Sequence, residues 1–187
     1  LKEQLQEFIR QDKLIIGICN GFQVLVKAGL LPGNDNLQQE VTLTINDSGK
    51  FEDRWVYLKK IKNKNSKIKN KCIWTKNSPE IIYLPVAHGE GKFVVQDKKV
   101  LERLKKNGQI VFQYCDDKGR FAGYPCNPNG SVDNIAGICD ITGRIFGLMP
   151  HPERHTSSLQ HPRWKGKGSS HKEGDGFRIF KNGVEFA

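Results

Sequence analysis

The chain has 187 residues, of which 37% are hydrophobic and 27% charged, enough apolar material for the core of one domain and too much for a collagen-like or wholly disordered chain. The formal net charge is +10, a balance that often indicates nucleic acid or an acidic surface as partner. No apolar run approaches the about 18 residues of a transmembrane helix, and the acids within residues 1–10 argue against a secretory signal peptide. Residue 1 is Leu, so we expect the sequence to be part of a longer polypeptide.

The first thirty residues predict an α/β unit. Apolar residues at helical spacing within residues 1–10 indicate an amphipathic helix. The continuous apolar run LIIGI at 14–18 is typical of a strand that is buried on both faces in a parallel sheet. After a turn at Cys19, residues 22–28 predict a second helix that ends at Gly29.

Most of the remaining patterns predict strands. Alternating or short apolar segments indicate strands at 40–46, 55–58, 73–74, 81–84, 93–96 and 109–114, and a hairpin formed by 135–139 and 145–149. Helices are expected at 100–106 and 177–186. We therefore predict one α/β domain over residues 1–187, with a mostly parallel sheet flanked by helices and a smaller antiparallel part.

The positive charge is concentrated in one segment. Eight lysines and no acids occur from Lys59 to Lys76, interleaved with Asn and Ser but with few aromatic residues. We predict that residues 59–71 form a solvated surface insertion and that nucleic acid is not a partner. A basic module that binds polyanions through this segment is kept as an alternative function.

The cysteines indicate a reducing compartment. They are five in number, widely scattered and without a CxxC pair. This pattern argues against a disulfide framework and against a structural zinc site, so we predict no metal site and expect a cytoplasmic protein.

Cys19 occupies the position of a catalytic nucleophile. It lies between the first strand and the second helix, with Gly17 and Gly21 two residues away on either side. That pattern is typical of a nucleophile elbow, a strained turn in which small neighbours relieve backbone crowding. The helix N-terminus favours a thiolate, and the backbone N–H of Asn20 could stabilise an oxyanion. The alternative is that Cys19 is a small buried residue at a strand end.

A cysteine nucleophile needs a base, and the base needs an orienting partner. His151 follows the predicted strand 145–149 and lies between two prolines, and Glu153 two residues later could hold its imidazole. Cys19 and His151 both come directly after predicted buried strands, where open α/β sheets place their ligands. The alternative is a proline-rich turn with incidental charges.

Taken together, these motifs resemble the class I glutamine amidotransferases. The matching segments are GICNGFQ at 17–23, VLVKAGLLPG at 24–33, PVAHGEG at 85–91, NPNGS at 127–131, MPHPERH at 149–155, HPRW at 161–164 and GDGFRIF at 174–180. The resemblance runs almost from end to end and is strongest to the glutaminase subunits of phosphoribosylformylglycinamidine synthase. It implies a flavodoxin-like, three-layer α/β sandwich.

The resemblance also implies a role for each matching residue. Cys19 would attack the side-chain amide of glutamine, His151 would act as general base and then acid, and Glu153 would hold His151. The products would be ammonia and a glutamyl thioester, which water hydrolyses to glutamate. The implied substrate-binding residues are Asn20, Gln23, His88 and Glu90.

The partners implied by the resemblance are a synthetase subunit and a small accessory subunit. The synthetase would use the ammonia, with ATP and Mg²⁺, to convert formylglycinamide ribonucleotide to formylglycinamidine ribonucleotide in purine biosynthesis. No cofactor, nucleic acid or membrane is then expected for this chain. Family members begin with further strands and a glycine-rich loop that supplies a second oxyanion N–H, so we expect residues 1–187 to lack that part. Another Cys-His-Glu hydrolase of the same fold, such as a γ-glutamyl peptidase, is the other alternative.

Overall fold

The computed structural model describes residues 2–34, 36–62, 72–164 and 173–187. The helices in this part are α1 (Lys2–Arg10), α2 (Asn20–Lys27), α3 (Lys98–Asn107) and α4 (Phe177–Phe186). The strands are β1 (Ile15–Ile18), β2 (Val41–Thr44), β3 (Glu52–Lys60), β4 (Ile81–His88), β5 (Lys92–Val95), β6 (Ile110–Cys115), β7 (Ile135–Cys139) and β8 (Ile145–Leu148). Short 3₁₀ turns occur at Ile73–Thr75, Val132–Asn134, Pro152–His155 and Ser158–Gln160.

The strands form one six-stranded sheet and one two-stranded sheet. The larger sheet has the order β1-β8-β7-β6-β3-β4, and β2 pairs with β5 in the smaller one. The α/β class is confirmed, but the expected predominance of parallel pairing is wrong for the described residues. Only β1 and β8 pair in parallel, whereas the other four pairings of the larger sheet are antiparallel. Residues 140–144 between β7 and β8 are too few for the crossover that a parallel pair needs.

Apolar side chains pack on both faces of the larger sheet. On one face, α2, α3 and the two-stranded sheet contribute buried residues such as Phe22, Leu104 and Phe93. On the other face, Ile179 of α4 packs in a cluster with residues such as Phe146. Helices therefore lie on both sides of the sheet, in agreement with the predicted layers.

The sheet curls so that its two edge strands, β1 and β4, approach each other. The backbone N–H of His151, which follows β8, donates to the carbonyl oxygen of Pro85 in β4 at 2.8 Å. The Sγ atom of Cys19, directly after β1, lies 4.0 Å from the carbonyl oxygen of Ala87, also in β4. Both candidate catalytic residues therefore lie at the seam between the two edges.

One prediction of local structure is confirmed in part and another is wrong. Ile15, Ile16 and Ile18 of the edge strand β1 are only half-buried, but Ile15 packs against the core cluster on one face and Ile16 and Ile18 against the cluster on the other. Residues 73–74 form a 3₁₀ turn instead of a strand. The buried Trp74 side chain donates from Nε1 to the carbonyl oxygen of Arg144 at 2.8 Å, so burial of one large ring explains the apolar pattern there.

The predicted lysine-rich insertion begins too early. Lys59 and Lys60 are the last residues of β3, and their ammonium groups donate to the carbonyl oxygens of Gly119 at 3.0 Å and Ser78 at 2.7 Å. Burial lowers the pKa of Lys60. These two lysines are therefore held by the fold, while residues 63–71 of the predicted insertion lie outside the described residues.

Candidate active site

Cys19 lies in a strained turn between β1 and α2. Its backbone has φ 51° and ψ −107°, a conformation that is costly for a residue with a side chain. A Cβ atom at Gly17 would lie 2.5 Å from Leu25 Cδ1 and 2.7 Å from the Gly21 backbone, whereas a Cβ at Gly21 would meet nothing within 4 Å. The nucleophile-elbow geometry is confirmed. Crowding explains the glycine at 17 but not the one at 21, contrary to expectation.

The helix that follows the turn places its N-terminus next to the thiol. Asn20 is the first residue of α2, and the N–H groups of Phe22 and Gln23 donate to the carbonyl oxygen of Cys19 at 3.0 Å and 3.2 Å. Cys19 is partly exposed, and of the other cysteines Cys126 is also partly exposed, while Cys72, Cys115 and Cys139 are buried. Cys19 thus combines two features of a reactive cysteine: it is partly exposed, and it directly precedes a helix N-terminus.

His151 and Glu153 form the expected pair. The Nδ1 atom of His151 lies 2.6 Å from Oε1 of Glu153, and the imidazole is buried at the start of the 3₁₀ turn. The neighbouring Cys19 sulfur, and after it the Glu153 carboxylate, outweigh burial and raise the pKa of His151 to about 9. Burial acts to raise the pKa of Glu153, but the hydrogen bond from His151 and the nearby positive charges lower it overall. A base that lies beside the sulfur and is itself held by a carboxylate is the arrangement that a cysteine nucleophile requires.

Three of the four predicted substrate-binding residues line one pocket. Asn20, Gln23 and Glu90 border a surface pocket of about 510 Å³ beside α2. The Gln23 side chain donates from Nε2 to the carbonyl oxygen of Glu90 at 2.7 Å, so it joins α2 to the loop after β4. The fourth residue, His88, is buried at the end of β4 and is only 4% exposed.

Two buried asparagines that the sequence did not single out hold the loop after β4. Asn46 donates from Nδ2 to the carbonyl oxygen of His88 at 2.8 Å, and its Oδ1 accepts from the N–H of Gly91 at 3.0 Å. Asn129 donates to the carbonyl oxygen of Gly91 at 2.8 Å and to the Tyr114 hydroxyl at 3.2 Å. Asn129 lies in the NPNGS motif, which indicated the family but not this contact.

The surroundings of His88 differ from those of His151. Burial lowers the pKa of His88 to about 4, and the charge of His151 adds to this shift, while the carboxylate of Glu52 opposes it. Neither ring nitrogen of His88 has a hydrogen-bond partner among the described residues. The ring is therefore a neutral, buried group within electrostatic reach of the catalytic pair.

The described residues were searched for metal-binding clusters and for membrane-spanning helices. Within it, no group of three or more His, Cys, Asp or Glu side chains could hold a metal ion. No helix among residues 2–34, 36–62, 72–164 and 173–187 has the length and apolar character to cross a membrane.

The elbow, the histidine–glutamate pair and the layered fold are those expected of a glutamine amidotransferase. A family model for the CobB/CobQ-like glutamine amidotransferase domain matches residues 1–187. The chain therefore belongs to this family.

Its relatives identify the branch of the family. The phosphoribosylformylglycinamidine synthase subunit PurQ of Archaeoglobus fulgidus is 47% identical over 195 residues, which cover 100% of this chain and 67% of the relative. PurQ of Dehalococcoides mccartyi is 47% identical over 187 residues, covering 100% of this chain and 69% of the relative. The structure of PurLQS from Thermotoga maritima matches with a TM-score of 0.68 at 29% identity, covering 99% of this chain and 67% of that one. The resemblance found in the sequence is thereby confirmed.

Proposed function

We propose that this chain is the glutaminase component of a phosphoribosylformylglycinamidine synthase. It hydrolyses glutamine to glutamate and supplies ammonia for the conversion of formylglycinamide ribonucleotide in purine biosynthesis. One observation carries the assignment of chemistry to residues: a partly exposed cysteine at a strained elbow lies next to a buried histidine that a glutamate holds at 2.6 Å. The family and its PurQ relatives support the choice of reaction.

The first half of the reaction forms a thioester. The Cys19 thiolate attacks the side-chain amide carbon of glutamine, and the backbone N–H of Asn20 stabilises the oxyanion. The C–N bond then breaks as the His151 imidazolium gives its proton to the leaving nitrogen, which departs as neutral ammonia. Glu153 keeps the imidazole oriented and stabilises its positive charge.

The second half releases glutamate. Neutral His151 takes a proton from water, whose oxygen attacks the thioester carbon. A second tetrahedral intermediate collapses, the C–S bond breaks, and the Cys19 sulfur leaves as thiolate beside the newly formed imidazolium. The pair returns to its starting charge state, so the same cysteine and the same His151–Glu153 pair serve both halves of the reaction.

The partners follow from the same assignment. The Thermotoga structure is of PurLQS, and we propose that this chain likewise assembles with a synthetase subunit and a small accessory subunit. ATP and Mg²⁺ belong to the synthetase, and this chain binds no cofactor of its own. The enzyme works in the cytoplasm, in agreement with scattered free cysteines.

The test separates ammonia production from ammonia use. In the assembled enzyme, Cys19→Ala should abolish product formation from glutamine, because no thioester can form, and should leave product formation from added ammonium chloride intact. Cys126→Ala, at the other partly exposed cysteine, serves as the matched control and should retain both activities. Equal loss of both activities in Cys19→Ala would refute the division of labour, and retained glutamine use would refute Cys19 as the nucleophile.

A further inference from the structure

Asn129 is wholly buried and makes hydrogen bonds with both ends of its side-chain amide. Its Nδ2 donates to the carbonyl oxygen of Gly91 at 2.8 Å and to the hydroxyl of Tyr114 at 3.2 Å. Its Oδ1 accepts from the hydroxyl of Ser131 at 2.7 Å and from the N–H of the same residue at 3.1 Å. Because the Gly91 carbonyl can only accept and the Ser131 N–H can only donate, these contacts fix the orientation of the amide as well as its position.

The Gly91 carbonyl belongs to the loop that follows β4, residues 89–91. In the same loop, the carbonyl oxygen of Glu90 accepts from Nε2 of Gln23 in α2 at 2.7 Å. Two successive carbonyl groups of the loop are therefore held by side-chain amides from different parts of the chain, Gln23 from the helix after the elbow and Asn129 from the NPNGS motif. The position of Glu90, one of the predicted substrate-binding residues, depends on both amides.

The contact with Tyr114 brings the same network close to the nucleophile. Tyr114 lies in β6 and is fully buried. Burial raises the pKa of Tyr114, the hydrogen bond from Asn129 opposes that shift, and a charge on the Cys19 sulfur adds to it. The hydroxyl therefore stays neutral, accepts from Asn129, and lies within electrostatic reach of Cys19.

The loop has little room to move towards its own strand. A Cβ atom at Gly91 would lie 2.3 Å from the ring of His88, so the Gly91 backbone packs directly on that ring. A buried amide is costly unless its hydrogen bonds are made, and a fully paired network favours one arrangement of the chain over its alternatives. The arrangement that Asn129 favours is the one in which the loop is held against α2.

We propose that Asn129, supported by Tyr114, is a positioning residue for the glutamine substrate: through the Gly91 carbonyl it sets the distance of the loop after β4 from Cys19. The inference rests on the proposed function and adds a residue that acts through the loop, since a wholly buried side chain cannot touch the substrate. The loop borders the substrate but moves no proton. Its displacement should therefore weaken glutamine binding, which raises KM, and leave the thioester chemistry measured by kcat largely intact.

Asn127 is a matched control in the same NPNGS motif. It is 6% exposed, and its Nδ2 donates to the carbonyl oxygen of Ser131 and to Oδ1 of Asn134, both at 2.9 Å. Its Oδ1 accepts from the N–H groups of Gly130 at 3.1 Å and Ser131 at 3.2 Å. All four bonds stay within one segment, whereas those of Asn129 extend to β6 and to the loop after β4.

The experiment compares the kinetics of three variants in the assembled enzyme, with formation of formylglycinamidine ribonucleotide measured as a function of glutamine concentration. Asn129→Asp places an oxygen where Nδ2 donates, so the Gly91 carbonyl loses its donor. We expect KM for glutamine to rise about tenfold, as for a buried acceptor left unpaired, and kcat to stay within about twofold of wild type. Asn127→Asp makes the same chemical change without touching the loop and should keep the wild-type KM.

Tyr114→Phe removes the hydroxyl alone and tests the support. It leaves the bond from Asn129 to Gly91 in place, so KM should rise less, about threefold. If Asn129→Asp fails to fold, this milder variant decides the question. Urea titration of all three variants measures their stabilities, and saturating ammonium chloride should support normal product formation in each, which shows an intact synthetase and an intact assembly.

The outcomes separate positioning from a merely structural role. An equal rise of KM in Asn129→Asp and Asn127→Asp overturns the inference, because the rise would then follow from lost stability alone. An unchanged KM in Asn129→Asp overturns it, as does a loss confined to kcat, and where only Tyr114→Phe folds the same two results decide. If Cys19→Ala still uses glutamine, the proposed function itself is wrong. If Cys19→Ala behaves as expected and KM does not respond to Asn129, the function stands and the positioning role is wrong.

Discussion

The pKa values of His88 and His151 are shifted in opposite directions, although the two rings lie within electrostatic reach of each other. For His151, the Cys19 sulfur and the Glu153 carboxylate favour the charged ring and raise its pKa to about 9. For His88, burial favours the neutral ring and lowers its pKa to about 4. At neutral pH the environment therefore favours a charged ring at His151 and a neutral ring at His88.

The raised pKa of His151 predicts a loss of stability in alkaline solution. The pKa of His151 is higher in the folded than in the unfolded state. Its contribution to the free energy of unfolding is therefore fully present below the unfolded pKa of about 6.5 and disappears as the pH rises through about 9. The free energy of unfolding, measured by urea titration between these limits, should fall with pH. In Glu153→Gln, which removes one of the interactions that raise the pKa, the fall should be smaller. An identical slope in both proteins would show that Glu153 does not control this ionisation.

The lowered pKa of His88 predicts the opposite dependence in acid. The unfolded chain takes up a proton near pH 6.5, whereas the folded ring resists it until about pH 4. Stability is therefore complete above the unfolded value and falls on acidification, by up to about 1.4 kcal/mol per pH unit for one such group. Replacing His88 with Leu should reduce this slope, whatever it does to stability at neutral pH. A slope that stays the same would mean that the ring is protonated in the folded protein.

The turn between β1 and α2 shows how two glycines in one motif can serve different needs. At Gly17, the strand and helix approach so closely that a methyl group would lie 2.5 Å from Leu25 Cδ1 and 2.7 Å from backbone atoms of Gly21. At Gly21, the same methyl group would point into open space. The strained Cys19 backbone is therefore supported by close packing on the strand side alone.

This difference predicts unequal effects of two matched substitutions. Gly17→Ala should lower the free energy of unfolding by about 1–3 kcal/mol, the usual cost of overpacking, and should reduce glutaminase activity because Cys19 moves. Gly21→Ala should change stability by less than about 1 kcal/mol, since alanine favours a helix over glycine. Chemical denaturation of both variants measures the effects. Comparable destabilisation by the two substitutions would show that the turn is crowded on both sides.

The motifs that carry the chemistry could be predicted because each is local. Cys19 with its flanking glycines, and His151 with Glu153 two residues later, are complete within a few positions of the sequence, and their backbone and hydrogen-bond geometry is confirmed. The family resemblance implies that Gln23 helps to position the substrate, and its contact with the Glu90 carbonyl, which holds α2 to the loop after β4, was not foreseen. The position of Glu52, Arg54 and His88 on one face of β3 and β4 could not be predicted, because it depends on the register between the two strands.

Errors in the predicted strands have a similar origin. The patterns marked only residues 55–58 of β3 and residues 81–84, the first half of β4, where Pro85 ends the predicted segment. The balance of parallel and antiparallel pairing depends on which strands become neighbours, and short apolar runs do not encode that choice. The approach of the two sheet edges, which brings Ala87 to Cys19, was likewise absent from any local pattern.

The free edge of β4 is covered by segments from far along the chain. The N–H of His151 donates to Pro85, and Nδ1 of His155 lies 2.8 Å from the carbonyl oxygen of Tyr83. A carboxylate oxygen of Asp175 accepts from the N–H of Tyr83 at 2.7 Å. An uncovered edge strand would invite pairing with other chains. Here the segment that carries the catalytic base also protects the edge, so the active site and the closure of the sheet depend on the same contacts.

Asp175 offers a test of that coupling, because it is 92 residues from its partner in sequence. Asp175→Ala leaves the Tyr83 N–H without its acceptor and should lower the free energy of unfolding by about 1.5–3 kcal/mol, as for a hydrogen bond to a charged group. Asp175→Asn keeps a carbonyl oxygen at the same place and should lose less than half as much. Urea titration gives the stabilities, and amide hydrogen exchange at Tyr83 reports the local effect, which should be faster in the alanine variant alone. Equal losses of stability in the two variants, with unchanged hydrogen exchange at Tyr83, would mean that Asp175 does not hold the edge of β4. The turn that carries His151 would then have to hold this edge by itself.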